Sequence, residues 1–162
     1  MERDVEKTRV GIIGLGKMGS AIASRLSRYG FSLSGWNRSF LPKEKENSLN
    51  IQIEGSISAL SRSAEIIILS LSDDNAVTTV LGDLCVNNLE NKLIVDASTV
   101  RHTTLSDNYG IIKGSGADAI DAPISGWPKM IESGTAGIYI GGDERVVQRY
   151  WPVAEVLSNR IE

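Results

Sequence analysis

Gly14-Leu15-Gly16-Lys17-Met18-Gly19 follows the apolar run Val10-Gly11-Ile12-Ile13 and opens a segment with helical spacing. The chain has 16 glycines, so the spacing alone carries little. Its place between a strand and a helix gives it a physical role. Gly14 permits a tight turn, Gly16 lets the backbone approach a diphosphate, and Gly19 lets the helix pack closely on the strand. The helix then aims its unpaired N–H groups and positive dipole end at that anion.

The next apolar run, Phe31-Ser32-Leu33-Ser34-Gly35, ends in Trp36-Asn37-Arg38-Ser39. This lies roughly twenty residues beyond the loop, where a ribose-reading residue belongs. A carboxylate there would accept from a ribose 2′-hydroxyl and repel a 2′-phosphate. Asn37 is neutral, Arg38 supplies a guanidinium that pairs with phosphate and stacks on adenine, and Ser39 adds a hydroxyl donor. The stretch therefore favours NADP over NAD.

Outward from these motifs, strands alternate with helices. Strands are expected at Arg9 to Ile13, Ser32 to Asn37, Ile51 to Ile53, Glu65 to Ser70, Lys92 to Asp96, Ala117 to Asp121 and Ala136 to Ile140. Helices are expected at Met18 to Tyr29, after Pro42, at Ser56 to Ser61, Asn75 to Leu81, Thr103 to Tyr109 and Glu144 to Leu157. Met18, Ile22, Leu26 and Tyr29 form the buried face of the first helix. Lys43, Glu44, Lys45 and Glu46 lie on solvated faces, and Pro152 is expected to kink the last helix. The expected fold class is α/β: a Rossmann-type doubly wound, mostly parallel sheet in a single domain over residues 9–162, after a frayed tail at residues 1–8. Ligands of such sheets bind beyond the carboxyl ends of the strands. Four polar strand ends are expected to meet there: 14–19, 37–39, 70–73 with Ser70, Leu71 and Ser72, and Ser98-Thr99.

Composition narrows the partners. Hydrophobic residues make up 41% and charged residues 23%, with a net charge of −3, so no basic stripe suggests nucleic acid. No apolar run is long enough to cross a membrane. Met1-Glu2-Arg3-Asp4-Val5-Glu6-Lys7 has no apolar core and does not read as a signal peptide. A single cysteine, Cys85, fits a reducing, cytoplasmic setting and a packing role. No cluster has metal-ligand spacing.

Taken in order, Gly14 to Gly19, Trp36 to Ser39, Val95-Asp96-Ala97-Ser98-Thr99 and Asp121-Ala122-Pro123-Ile124-Ser125-Gly126 resemble the β-hydroxyacid dehydrogenases. That family includes 3-hydroxyisobutyrate dehydrogenase, tartronate semialdehyde reductase and the glyoxylate/succinic semialdehyde reductases. The resemblance implies that Leu15, Gly16, Lys17 and Met18 cover the diphosphate and that Asn37, Arg38 and Ser39 hold the adenosine end. It also implies that Ser70, Leu71 and Ser72 lie along the cofactor and Thr99 near the nicotinamide. Ser125 and Gly126 would anchor a small carboxylate-bearing substrate. Trp127 stands where the family has a second glycine.

The family's enzymes also use a lysine, with an asparagine one turn on, early on a long helix after this domain. The last lysine here is Lys129, and the sequence stops at Ile161-Glu162. The resemblance then implies that the helical domain is absent, that no catalytic residue lies in the chain, and that the cofactor binds without useful turnover. Lys113 and Lys129 read as surface residues, and the only histidine, His102, as a solvated polar residue. An apolar patch around Val153, Val156 and Leu157 would favour self-association. Two alternatives to a hydroxyacid dehydrogenase domain remain: a non-catalytic dinucleotide-binding or regulatory module, and a fragment of an imine-reductase-like enzyme.

Overall fold

The computed structural model describes residues 8–162, so nearly all of the expected tail lies outside the described residues. β1 (Arg9–Ile13) leads into α1 (Lys17–Arg28), then β2 (Ser32–Trp36), α2 (Lys43–Leu49), β3 (Gln52–Ile53), α3 (Ile57–Ser63) and β4 (Ile66–Leu69). α4 (Asp74–Cys85), β5 (Leu93–Asp96), α5 (Thr104–Asp107), α6 (Tyr109–Gly114) and β6 (Asp118–Asp121) follow. The last part runs β7 (Ile124–Ser125), α7 (Pro128–Ser133), β8 (Gly137–Ile138), α8 (Glu144–Leu157) and β9 (Arg160–Ile161). Six strands form one sheet in the order β3-β2-β1-β4-β5-β6, every pair parallel. This is the Rossmann-type arrangement.

β-Branched runs dictate the middle of the sheet. Ile66-Ile67-Ile68-Leu69 and Leu93-Ile94-Val95 are buried on both faces, as parallel strands covered by helices must be. Their side chains alternate. Ile66, Ile68, Leu93 and Val95 pack with Ile22 and Leu26 of α1 and Tyr150, Val153 and Leu157 of α8. Ile67, Leu69 and Ile94 pack with Leu60 of α3, Val77, Leu81 and Leu84 of α4, and Ile112 of α6. Two cores thus sit back to back on one sheet.

Several expectations are corrected. Tyr29 is not on the buried face of α1. It is half-exposed past the helix end and stacks on the Arg25 guanidinium, 4.7 Å from its ring centre. α4 runs on to Cys85, whose half-buried thiol is pushed up by burial. The expected helix at 103–109 is two short helices that meet at Asn108. The expected strand at 136–140 shrinks to β8, outside the main sheet. It pairs antiparallel with β7 and parallel with β9 in a separate three-stranded sheet. α8 continues through Pro152. Val153 and Leu157 are fully buried against the sheet, and Val156 packs beside them, so the expected apolar patch is core. Lys45 is half-buried, and its ammonium reaches the glycine-rich loop at Leu15 O.

Candidate functional site

The loop between β1 and α1 is fixed by the absence of side chains. Gly14 sits at φ +97°, and its N–H donates to Trp36 O at 2.9 Å. A Cβ on Gly14 would lie 2.2 Å from Ser70 O, and one on Gly19 would lie 1.8 Å from Gly14 O. Neither position tolerates any other residue without moving the backbone. Gly16 differs: a Cβ there would meet nothing within 4 Å. Gly14 and Gly19 bring chain segments together, whereas Gly16 faces open space. Gly16 also occupies the N-cap position of α1 with no side-chain cap. The first N–H groups of that helix are left without a side-chain acceptor.

Leu15, expected over a diphosphate, makes its contacts within the protein. Its side chain is fully buried. Its N–H donates to Asn37 Oδ1 at 2.9 Å, and its carbonyl accepts from Ser20 Oγ at 2.9 Å and Lys45 Nζ at 2.6 Å. Asn37 Nδ2 donates to Ser39 O at 3.0 Å. Asn37 therefore ties the loop after β2 to the loop after β1 through both ends of its amide. Arg38 and Ser39 are exposed beyond it.

The loops after β4 and β5 are tied in the same way. Ser70 N–H donates to Ile13 O at 2.9 Å, and Leu71 N–H donates to the buried Ser98 Oγ at 3.0 Å. Ser98 N–H in turn donates to Asp96 Oδ1 at 3.0 Å. Asp96 is fully buried, and its Oδ2 has no partner. Burial raises its pKa above the usual carboxylate range, and Asp121 and Asp74 push the same way. Ser72 Oγ donates to Asp73 Oδ2 at 3.0 Å, while Asp73 Oδ1 accepts from Ala76 N–H at 2.8 Å and caps α4. These bonds, the backbone one foremost, hold the Asp73 pKa low.

A cleft of about 510 Å³ opens where these loops meet. Gly14, Gly16, Trp36, Asn37, Arg38, Ser39, Ser70, Leu71 and Ser72 border it. Its far wall is a face of α4, with Ala76, Thr79, Val80 and Asp83. The sequence reading missed that wall, although the 76, 79, 80, 83 spacing after the Asp73 cap was a usable signal. Other expected site residues stand apart from the cleft. Lys17 is exposed, Met18 packs against the core and Gly19 is buried. Thr99 is exposed after β5, and Ser125 and Gly126 are exposed at β7, with Gly126 at φ +137°. None of these six residues borders the cleft.

A second, larger cleft of about 760 Å³ lies between α5, α6 and α8 against β6 and includes His102. Its charges are largely satisfied: Asp118 pairs with Arg149 at 2.7 Å and with Lys113 at 3.3 Å. Among the described residues no group of His, Cys, Asp and Glu is arranged to hold a metal. No described helix is long and apolar enough to cross a membrane.

The sequence model of the family described as the NAD binding domain of 6-phosphogluconate dehydrogenase matches residues 9–162. The 2-hydroxy-3-oxopropionate reductase of Escherichia coli is 30% identical over 156 residues, covering 94% of this chain and 53% of that protein. Glyoxylate/succinic semialdehyde reductase 1 of Arabidopsis thaliana is 29% identical over 154 residues, covering 93% and 53%. The solved structure of Mycobacterium tuberculosis 3-hydroxyisobutyrate dehydrogenase with L-serine superposes with a TM-score of 0.89 over 96% of this chain and 53% of that one. At 24% identity that match establishes the fold alone. The chain spans about half the length of the curated relatives it matches.

Proposed function

The chain belongs to the family of the NAD binding domain of 6-phosphogluconate dehydrogenase and is an NAD(P)-binding domain, and we propose that it binds NADP(H) for an oxidoreductase acting on a small hydroxyacid or aldehyde-acid. One observation carries the cofactor choice. An exposed guanidinium, Arg38, borders the cleft beside neutral Asn37, and pairs with no carboxylate among the described residues. An unpaired cation at the ribose-reading position suits a 2′-phosphate. The residues present fit the rest of the cofactor. The space over Gly16 accepts a diphosphate, and α4 from Ala76 to Asp83 offers a wall for the adenosine end.

When bound, the reduced cofactor would supply a hydride and the oxidised cofactor would accept one. This chain's residues bind and orient it: the backbone at Gly16 meets the diphosphate over the turn that Gly14 permits, and Arg38 and Ser39 meet the 2′-phosphate. Ser70 to Ser72 line the middle of the cofactor, Thr99 stands toward the nicotinamide, and Ser125 with Gly126 offers hydroxyl and N–H donors to a substrate carboxylate. This substrate side rests on the relatives, a glyoxylate/succinic semialdehyde reductase and a 2-hydroxy-3-oxopropionate reductase.

Calorimetric titration tests the cofactor choice. NADPH should bind about tenfold more tightly than NADH, the worth of one charge-assisted pair. Arg38→Ala should erase most of that ratio by weakening NADPH alone. Equal affinities for the two cofactors, unchanged by Arg38→Ala, would remove the reading.

A further inference from the structure

The Leu15–Gly16 peptide is held more firmly than a flexible glycine-rich loop requires. Its carbonyl accepts from Ser20 Oγ inside α1 and from Lys45 Nζ, which reaches over from α2, 30 residues along the chain. A trans peptide points its C=O and N–H in opposite directions. Anchoring Leu15 O toward Lys45 therefore aims Gly16 N–H the other way. Gly16 carries no side chain to fix its own conformation, so an outside restraint decides where that N–H points.

Among the described residues the lysine commits its ammonium to that carbonyl and not to an ion pair. Its neighbour Lys43 pairs with Glu46 at 3.1 Å, as a surface helix lysine does. Lys45 is half-buried and, among the described residues, pairs with no carboxylate. A half-buried ammonium hydrogen-bonded to a carbonyl holds that carbonyl in place more strongly than a neutral donor would.

We propose that Lys45 is a positioning residue for the diphosphate of the dinucleotide: through Leu15 O it fixes the Gly16 N–H that meets the phosphate. This rests on the dinucleotide reading of the cleft. Lys45 serves NADPH and NADH equally, because it acts on the loop and not on the 2′-phosphate that Arg38 reads.

The test titrates the wild type, Lys45→Met and Lys45→Arg with NADPH, NADH and adenosine 2′-monophosphate, which has the 2′-phosphate but no diphosphate. Lys45→Met should weaken NADPH and NADH by the same factor, about tenfold. Adenosine 2′-monophosphate should bind as before, and Lys45→Arg should restore most of the loss. A purely structural role would weaken all three ligands together and lower the binding stoichiometry. That pattern, or full NADPH affinity in Lys45→Met, would overturn the inference while leaving the cofactor reading intact. A wild type that binds neither dinucleotide would overturn both.

Discussion

Asp96 brings a carboxylate into the interior with one oxygen bonded to Ser98 N–H and the other unpartnered. Burial disfavours its charged form and raises its pKa. The folded state then holds the proton more tightly than the unfolded chain. Its contribution is full below the unfolded value of about 4 and is lost as pH rises through the raised folded value. Asp74 works in the opposite direction. The Thr104 hydroxyl, then Arg101 N–H, lower its pKa to about 2. Its contribution is present above about 4 and is lost as pH falls through the lowered value. Asp96→Asn keeps the acceptor for Ser98 and removes the buried charge. Urea unfolding from pH 2 to 8 should show this variant more stable than wild type at pH 7, with a flatter profile above pH 4 and the same acid limb. Matching slopes above pH 4 in the two proteins would rule this out. Nothing in the sequence marked Asp96 as buried, because an aspartate ending a strand normally faces solvent. Asn37 and Arg38 were legible by spacing from the loop; that Asn37 spends its amide on Leu15 and Ser39 was not, since such bonds depend on how two loops approach.

At the level of elements, one side chain of α1 joins two others. Arg25 Nε donates to Val156 O at 2.8 Å and Nη1 to Glu132 O at 2.9 Å, and the guanidinium lies against Gly134, which ends α7 at φ +74°. These carbonyls belong to the last turns of α8 and α7 and lack N–H donors within their own helices. Arg25→Met keeps the apolar stem and loses both bonds. It should cost about 2 kcal/mol, and lower the melting temperature by about 4–8 °C, with NADPH affinity unchanged. Calorimetry with a cofactor titration checks both halves. The long periodic runs that became β1, β2, β4, β5, β6 and α8 were readable to within a residue or two. β7 and β9 were not, because two-residue strands have no period to read. α7 did carry its signals, Pro128 at its start and Gly134 after its end.

The whole molecule gathers its cleft at the carboxyl ends of parallel strands, in an order the sequence left open. What holds that cleft is a chain of contacts between loops: Gly14 against Ser70 O, Leu71 N–H on Ser98 Oγ, Leu15 N–H on Asn37. Loops pinned to each other in this way cannot open one at a time. The consequence is kinetic. Association should proceed in a single exponential phase whose rate climbs linearly with NADPH concentration, because no slow rearrangement precedes or follows the encounter. Stopped-flow quenching of Trp36, half-buried at the cleft wall, would follow it. A rate that levels off at high NADPH would reveal a gate, and linear dependence to the fastest measurable times would mark a pocket already in its binding shape before the cofactor arrives.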